Sequence, residues 1–173
     1  MLTGESRVTL DDMGRVSLPR RWREILGNDN VVLRKHEDGC IWLFAVEEWK
    51  KVERDIVNRT TLFSSHDIAL RRRYVATFVD IDKQGRILIP PTFREHAGLS
   101  KECLCFGQFE YAEIWAEDRY CAYQEATLEQ YRAASEEIGA RIKKERAWDN
   151  GGNSAFAGAA GADAGVSVAE GQP

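Results

Sequence analysis

One phrase of the sequence occurs twice. "DDMGRVSLP" runs from Asp11 to Pro19 and "DKQGRILIP" from Asp82 to Pro90. Sliding the chain by 71 (82 minus 11) superposes the two regions without a gap. At that offset Gly14 meets Gly85, Arg15 meets Arg86, Arg23 meets Arg94, Gly27 meets Gly98 and Leu33 meets Leu104; further on, Phe44 meets Trp115 and Trp49 meets Tyr120. Matches held at one offset over roughly forty positions mark an internal duplication. Two copies are too few for a solenoid and suit a pseudo-symmetric pair.

Each copy reads the same way. "RVTL" and "TFVDI" have the apolar pattern of short strands. "DDMG" and "DKQG" are turns, with Gly14 and Gly85 supplying the unusual backbone angle. In the return strands Val16 and Leu18, or Ile87 and Ile89, share one face, which leaves Arg15 and Ser17, or Arg86 and Leu88, on the other. Pro19 and Pro90 end those strands and open short helices closed by Gly27 and Gly98. A two-stranded hairpin follows in each copy, then a helix. "SSHDIALRRRY" between the copies reads as a linking helix capped by Ser64 or Ser65. A unit of about forty to fifty residues buries too little apolar surface to be secure alone, so the two are expected to wrap into one β-rich core. The expected divisions are residues 5–47 for the first unit, 48–75 for a helical linker, 76–119 for the second unit and 120–147 for a long helix. Residues 148–173 form a Gly/Ala-rich tail that reads as disordered.

The 173 residues contain no apolar run of the roughly 20 needed to span a bilayer. The start of the chain lacks a secretory pattern, so a cytoplasmic protein without membrane partners is expected. Cys40, Cys103, Cys105 and Cys121 form no CxxC pair, and His36, His66 and His96 match no ligand spacing. Free thiols are expected, with no metal and no cofactor. The chain contains no Walker phosphate loop, GxSxG or HExxH motif, and each Asp that could imitate a catalytic carboxylate is matched to an Arg. It is not expected to be an enzyme.

The formal net charge is −4 and the pI about 5.5, against the usual basic footprint of nucleic-acid binders. Distribution matters more than the total. Arg7, Arg15, Arg20 and Arg21 cluster near the first phrase, and Lys83 and Arg86 mark the second, while much of the acid lies in the late helix. Arg15 and Arg86 suit two roles. Their planar forks can grip phosphate or guanine, or they can be held locally by Asp11 and Asp82; both can hold at once. Asp11 and Asp82 are expected to orient the Arg and cap the turn. Arg7, Arg20, Arg21 and Lys83 are either solvated charges or phosphate contacts. Arg23 and Arg94 read as structural. Arg71, Arg72 and Arg73 cannot all face one way on a helix and are left outside the site.

Taken together, the paired Asp-x-x-x-Arg elements, "DGCIWLF" with "EEW", "ALRRRYV", "DKQGRILIPPTFREHAGL" and "YAEIW" resemble the MraZ family of bacterial transcriptional regulators over about residues 1–146. These are built from two SpoVT-AbrB-type DNA-binding domains. The resemblance implies an α+β, β-rich fold: a pseudo-two-fold, swapped-hairpin β-barrel of two tandem repeats with flanking helices and a long C-terminal helix. It implies a nucleoid-associated repressor that binds repeated boxes in double-stranded promoter DNA of the division and cell-wall gene cluster. It also implies a ring-shaped homo-oligomer, and it favours the DNA-binding role for Arg15 and Arg86. The alternative compatible with the acidic pI is a ring-forming protein-interaction scaffold. "PRRW" in the first copy stands where the second has "PPTF", so the copies need not contact DNA equally.

Overall fold

The structure, a computed structural model, describes residues 1–27 and 29–155, with side chains through residue 148. Among these residues the chain forms eight strands and five helices. The first repeat holds β1 (Leu2–Thr9), β2 (Arg15–Ser17), α1 (Arg20–Leu26), β3 (Asn30–Lys35) and β4 (Ile41–Ala45). Helices α2 (Val46–Arg59) and α3 (Ser65–Arg73) link it to the second. There follow β5 (Ala76–Asp80), β6 (Arg86–Leu88), α4 (Pro91–Ala97), β7 (Glu102–Phe109), β8 (Tyr111–Ala116) and α5 (Glu117–Ala155).

The strand order is the signature of the duplication. One antiparallel sheet runs β1-β7-β8-β4-β3-β5, and β2 pairs with β6 in a separate ribbon. Exchanging each strand for its repeat partner reverses the order and returns the same sheet, as a two-fold requires. The exchange also exposes the swap. Edge strand β1 of the first repeat pairs with β7 of the second, and β5 of the second pairs with β3 of the first. The expected barrel takes the form of an open six-stranded sheet whose edges are tied to the ribbon by single bridges, Leu10 to Val16 and Ile81 to Ile87. β1 starts at Leu2, well before "RVTL", because β7 runs on to Phe109 and gives it eight partners.

The ribbon plugs the sheet. Val16, Leu18, Ile87 and Ile89 are at most 1% exposed and pack with Leu33, Leu43, Cys105 and Ile114. Burying each such aliphatic side chain contributes about 1.5–3 kcal/mol. Trp22 of α1 and Phe93 of α4 join the same cluster, and Pro19 and Pro90 set the helix entries with φ of −51° and −59°. α3 is capped by Ser64, whose hydroxyl oxygen accepts from the Asp67 N–H at 3.2 Å.

The gapless alignment needs one correction. The ladder registers match between repeats only if β3 is shifted by 72 (104 minus 32) onto β7, while the other strands keep 71. Leu33 is therefore equivalent to Cys105, both fully buried in the central cluster. Leu104 is equivalent to Val32, and each sits in a satellite cluster: Val32 with Phe44 and Trp49, Leu104 with Trp115 and Tyr120. The physical cause is a compensated insertion. The segment between α4 and β7 is one residue longer than that between α1 and β3, and the following hairpin is one residue shorter. The shorter hairpin turns through Phe109, at a left-handed φ of 66°.

Residues Met1–Glu125, with both repeats, form one compact unit, and a second begins at Ala126. In the second, α5 leaves Leu128, Tyr131, Ile138 and Ile142 exposed. The helix is described to Ala155, past the end expected at residue 147; residues 156–173 of the expected disordered tail lie outside the described residues. Among the described residues no helix is long and apolar enough to cross a membrane.

Candidate nucleic-acid interface

The two turns are built alike from short-range chemistry. Asp11 Oδ1 accepts from the N–H groups of Met13 (3.0 Å) and Arg15 (2.8 Å), and Asp11 Oδ2 accepts from Arg15 Nε at 2.8 Å. Asp82 repeats the pattern with Gln84 (2.8 Å) and Arg86 (3.0 Å), and with Arg86 Nε at 2.8 Å. One side chain thus caps the turn and fixes its Arg. Gly14 and Gly85 take φ of 80° and 76°, and their N–H groups close the turns onto the Asp11 and Asp82 carbonyls at 2.8 Å. These bonds leave their mark on the acids. The backbone N–H and guanidinium of Arg15 hold the Asp11 carboxyl below the usual range, and the Arg86 guanidinium and N–H bring Asp82 down to about 2. Both carboxylates stay charged at neutral pH, unfit as general acids.

The β2–β6 pairing brings the turns together across the pseudo-two-fold. Val16 faces Ile87 at its centre, with Arg15 opposite Leu88 and Ser17 opposite Arg86. Since side chains alternate along a strand, Arg15, Ser17, Arg86 and Leu88 share the outer face of one ribbon. Arg86 Nη1 lies 3.9 Å from Asp11 Oδ2 of the other turn. Cross-ties hold the ribbon: the Leu18 N–H donates to the Gly85 carbonyl (3.0 Å) and the Ile89 N–H to the Gly14 carbonyl (2.9 Å).

Arg23 and Arg94, read as structural, clamp the opposite turns unequally. Arg23 Nε donates to the Leu18 carbonyl (2.9 Å) and Nη1 to the Gln84 carbonyl (3.1 Å). Its guanidinium lies where a Cβ on Gly85 would be, and Arg94 lies in the same way against Gly14. Arg23 thus bonds the second turn, whereas Arg94 packs against the first with its Nε buried and without a hydrogen-bond partner. The equal spacing of the two Arg was visible in the sequence; that each reaches across to the opposite repeat was not.

The remaining cations divide. Arg7 and Arg20 line one groove beside the ribbon together with Ser17 and Arg23. Arg7 also pairs with Glu117 at 2.7 Å, an exposed contact worth about 0–1 kcal/mol that an anion could displace. Arg21 is exposed on α1 outside that groove's lining. Lys83 sits at the tip of the second turn, against a hollow lined by Arg23, Asp82 and Gly85. In the basic run, Arg71 turns inward to the Thr60 hydroxyl (2.7 Å) and carbonyl (2.9 Å), whereas Arg72 and Arg73 are exposed. A charge missed in the sequence is Arg34, 2% exposed, bonded to Glu37 and lying over the rings of Tyr74 and Trp42. It is a packing residue; its equivalent in the second repeat is Phe106, which stacks on Tyr120. Among the described residues no group of three or more His, Cys, Asp or Glu could hold a metal ion.

Comparison with known proteins places this sequence in a family. The family model described as "MraZ protein, putative antitoxin-like" matches residues 1–72 and 74–142. The chain is 34% identical over 140 residues to a "Transcriptional regulator MraZ" of Treponema denticola, covering 80% of this chain and 97% of that protein. It is 36% identical over 138 residues to the protein so named in Treponema pallidum, covering 79% and 93%. A namesake in Ligilactobacillus salivarius is 37% identical over 139 residues, covering 80% and 96%. These relatives are named as regulators of transcription, not as enzymes.

Proposed function

The chain belongs to the MraZ family, and on that premise we propose that it is a transcriptional regulator that binds double-stranded promoter DNA through the β2–β6 ribbon. The observation that carries the reading is the placement of Arg15 and Arg86 on one outer face, each oriented by its own Asp. A two-stranded ribbon fits the major groove, where an Arg fork can read guanine O6 and N7. Arg7, Arg20, Arg21 and Lys83 flank it as phosphate contacts, which position the protein without reading sequence. The protein's overall acidity is no obstacle, because the cations that matter are local.

The finer reading is a repressor, cytoplasmic and nucleoid-associated, acting on repeated boxes upstream of the division and cell-wall gene cluster. One chain offers few contacts, so a closed head-to-tail ring supplies avidity by presenting several ribbons to successive boxes. Apolar surface available for self-assembly supports this: Phe63 is fully exposed, and Val57 and Leu62, near it in sequence, are 58% and 66% exposed. Repression would follow from occupying the promoter.

The test is equilibrium binding to a fragment carrying repeated boxes across a salt series. Binding should weaken steeply as salt rises, and Arg15→Ala with Arg86→Ala should remove the preference for the boxes. Unchanged binding in the double variant would take the ribbon out of the interface. Ring formation with no duplex binding at any salt would favour the interaction-scaffold reading.

A further inference from the structure

On the first-repeat flank of the ribbon the cations are Arg7, Arg20 and Arg21. Their equivalents at an offset of 71 are Phe78, Pro91 and Thr92, none of them charged. The second flank is supplied differently. A cavity of about 470 Å³ opens there, its lining including Lys35, Arg72, Arg73, Thr77, Thr92 and His96. Thr77 places it relative to the ribbon: it is equivalent to Ser6, which lines the first-repeat groove with Arg7 and Arg20. Thr92, equivalent to Arg21 outside that groove, shares the cavity's lining.

The cavity exists because the repeats differ. In the first repeat the Trp22 indole N–H donates to the Thr3 carbonyl at 3.1 Å, closing the ring against β1, which begins at Leu2. In the second, Phe93 has no such donor, and the chain enters β5 only at Ala76 after leaving α3. A smaller ring and a later strand leave space, and the last turn of α3 delivers Arg72 and Arg73 to its rim.

Its charge balance favours an anion. The lining carries one carboxylate, Glu37, which Arg34 Nη2 engages at 3.0 and 3.1 Å and which lies 3.9 Å from Arg73. Among the described ion pairs none involves Lys35 or Arg72; the Lys35 ammonium lies over the Phe93 ring at 5.2 Å. The Thr77 and Thr92 hydroxyls add donors. Cations, hydroxyls and partial enclosure are what a phosphate group needs.

We propose that this cavity takes a phosphate of the DNA backbone, so that the second repeat grips the duplex through Lys35, Arg72 and Arg73 where the first uses Arg20 and Arg21. The inference rests on the DNA-binding reading of the ribbon. It makes the interface chemically two-sided even though α4 lacks cations at the positions equivalent to Arg20 and Arg21 of α1.

The test compares wild type, Arg15→Ala/Arg86→Ala, and Lys35→Gln/Arg72→Gln/Arg73→Gln on a box-containing duplex and on a scrambled one across salt. The triple variant should weaken both duplexes by a similar factor. It should also reduce the slope of log affinity against log salt by about 1, near 0.9 for the one phosphate no longer neutralised. Thr92→Arg, which restores the first repeat's residue, should strengthen both duplexes and steepen the slope by about 1, a gain that misfolding could not produce. Wild-type affinity and slope in both of these variants, with box preference abolished in Arg15→Ala/Arg86→Ala, would overturn the cavity assignment and leave the ribbon standing. Absence of duplex binding by wild type at any salt would overturn the ribbon reading first. Saturable binding of inorganic pyrophosphate at the cavity, with undiminished duplex affinity in the triple variant, would overturn the assignment in favour of a free phosphate ligand.

Discussion

A surface arginine has many rotamers, and freezing it costs up to about 2 kcal/mol. Asp11 and Asp82 bear that cost in advance, but not equally. Arg15 gives its Nε to Asp11, whereas Arg86 gives Nε and Nη2 to Asp82 and holds Nη1 3.9 Å from Asp11. Arg15 therefore keeps more of its fork for a ligand. Arg15→Ala should weaken box binding more than Arg86→Ala, each within the ~1–3 kcal/mol typical of a bidentate base contact; titration of a labelled duplex decides, and the reverse order would contradict the geometry. The acids set a pH window too. Asp82 lies at about 2 in the folded turn against an ordinary 3.8. Its bonds thus stabilise the fold fully above about pH 4, and that contribution disappears as pH falls through about 2. Nuclear magnetic resonance titration of the Asp82 carboxyl should show this depressed value, and Arg86→Ala should return it towards the ordinary range.

Each turn is completed by the opposite repeat. A Cβ at Gly85 would run into Arg23 and one at Gly14 into Arg94, and both glycines have positive φ. Gly85→Ala should cost about 1–2 kcal/mol from the backbone alone, more if Arg23 is displaced, and a thermal melt measures it. Gly107 is less forgiving, because a Cβ there would meet the Thr3 and Leu2 backbone, at 2.5 and 2.6 Å, rather than the end of a flexible side chain. Gly107→Ala should part β1 from β7, read as faster amide exchange in residues 2–5. The sequence announced the turn glycines, since an Asp-x-x-Gly turn has its own local chemistry. It did not announce the clamps, because equal spacing cannot say whether an Arg packs on its own repeat or the other. The one-residue slip of β3 against β7 was hidden as well: the Leu33 and Leu104 identity favoured the gapless register, while the true partner of Leu33, Cys105, is a different residue type that no identity match could align.

For the molecule as a whole, the exchange of β1 and β5 means that neither repeat owns a complete sheet. The duplication and the shared core were legible from chain length and repetition. The route of closure left no local trace, because the pairing partners lie far apart in sequence; it was legible only through the family resemblance, which implied the swapped hairpin. A fragment of residues 1–60 should lack a cooperative melt alone and acquire one when mixed with a fragment of residues 61–148, followed by circular dichroism. A half that folds as a stable monomer would contradict the swap. The swap also explains why the two Arg lie on one ribbon: the strands that carry them pair only because both repeats close one core. The central claim, that this shared ribbon is the DNA-reading surface, is tested most directly by footprinting the protein on DNA upstream of its own gene. Wild type should protect a series of regularly spaced boxes, and Arg15→Ala/Arg86→Ala, folded and assembled as before, should leave them open. Undiminished protection by that double variant would contradict the account.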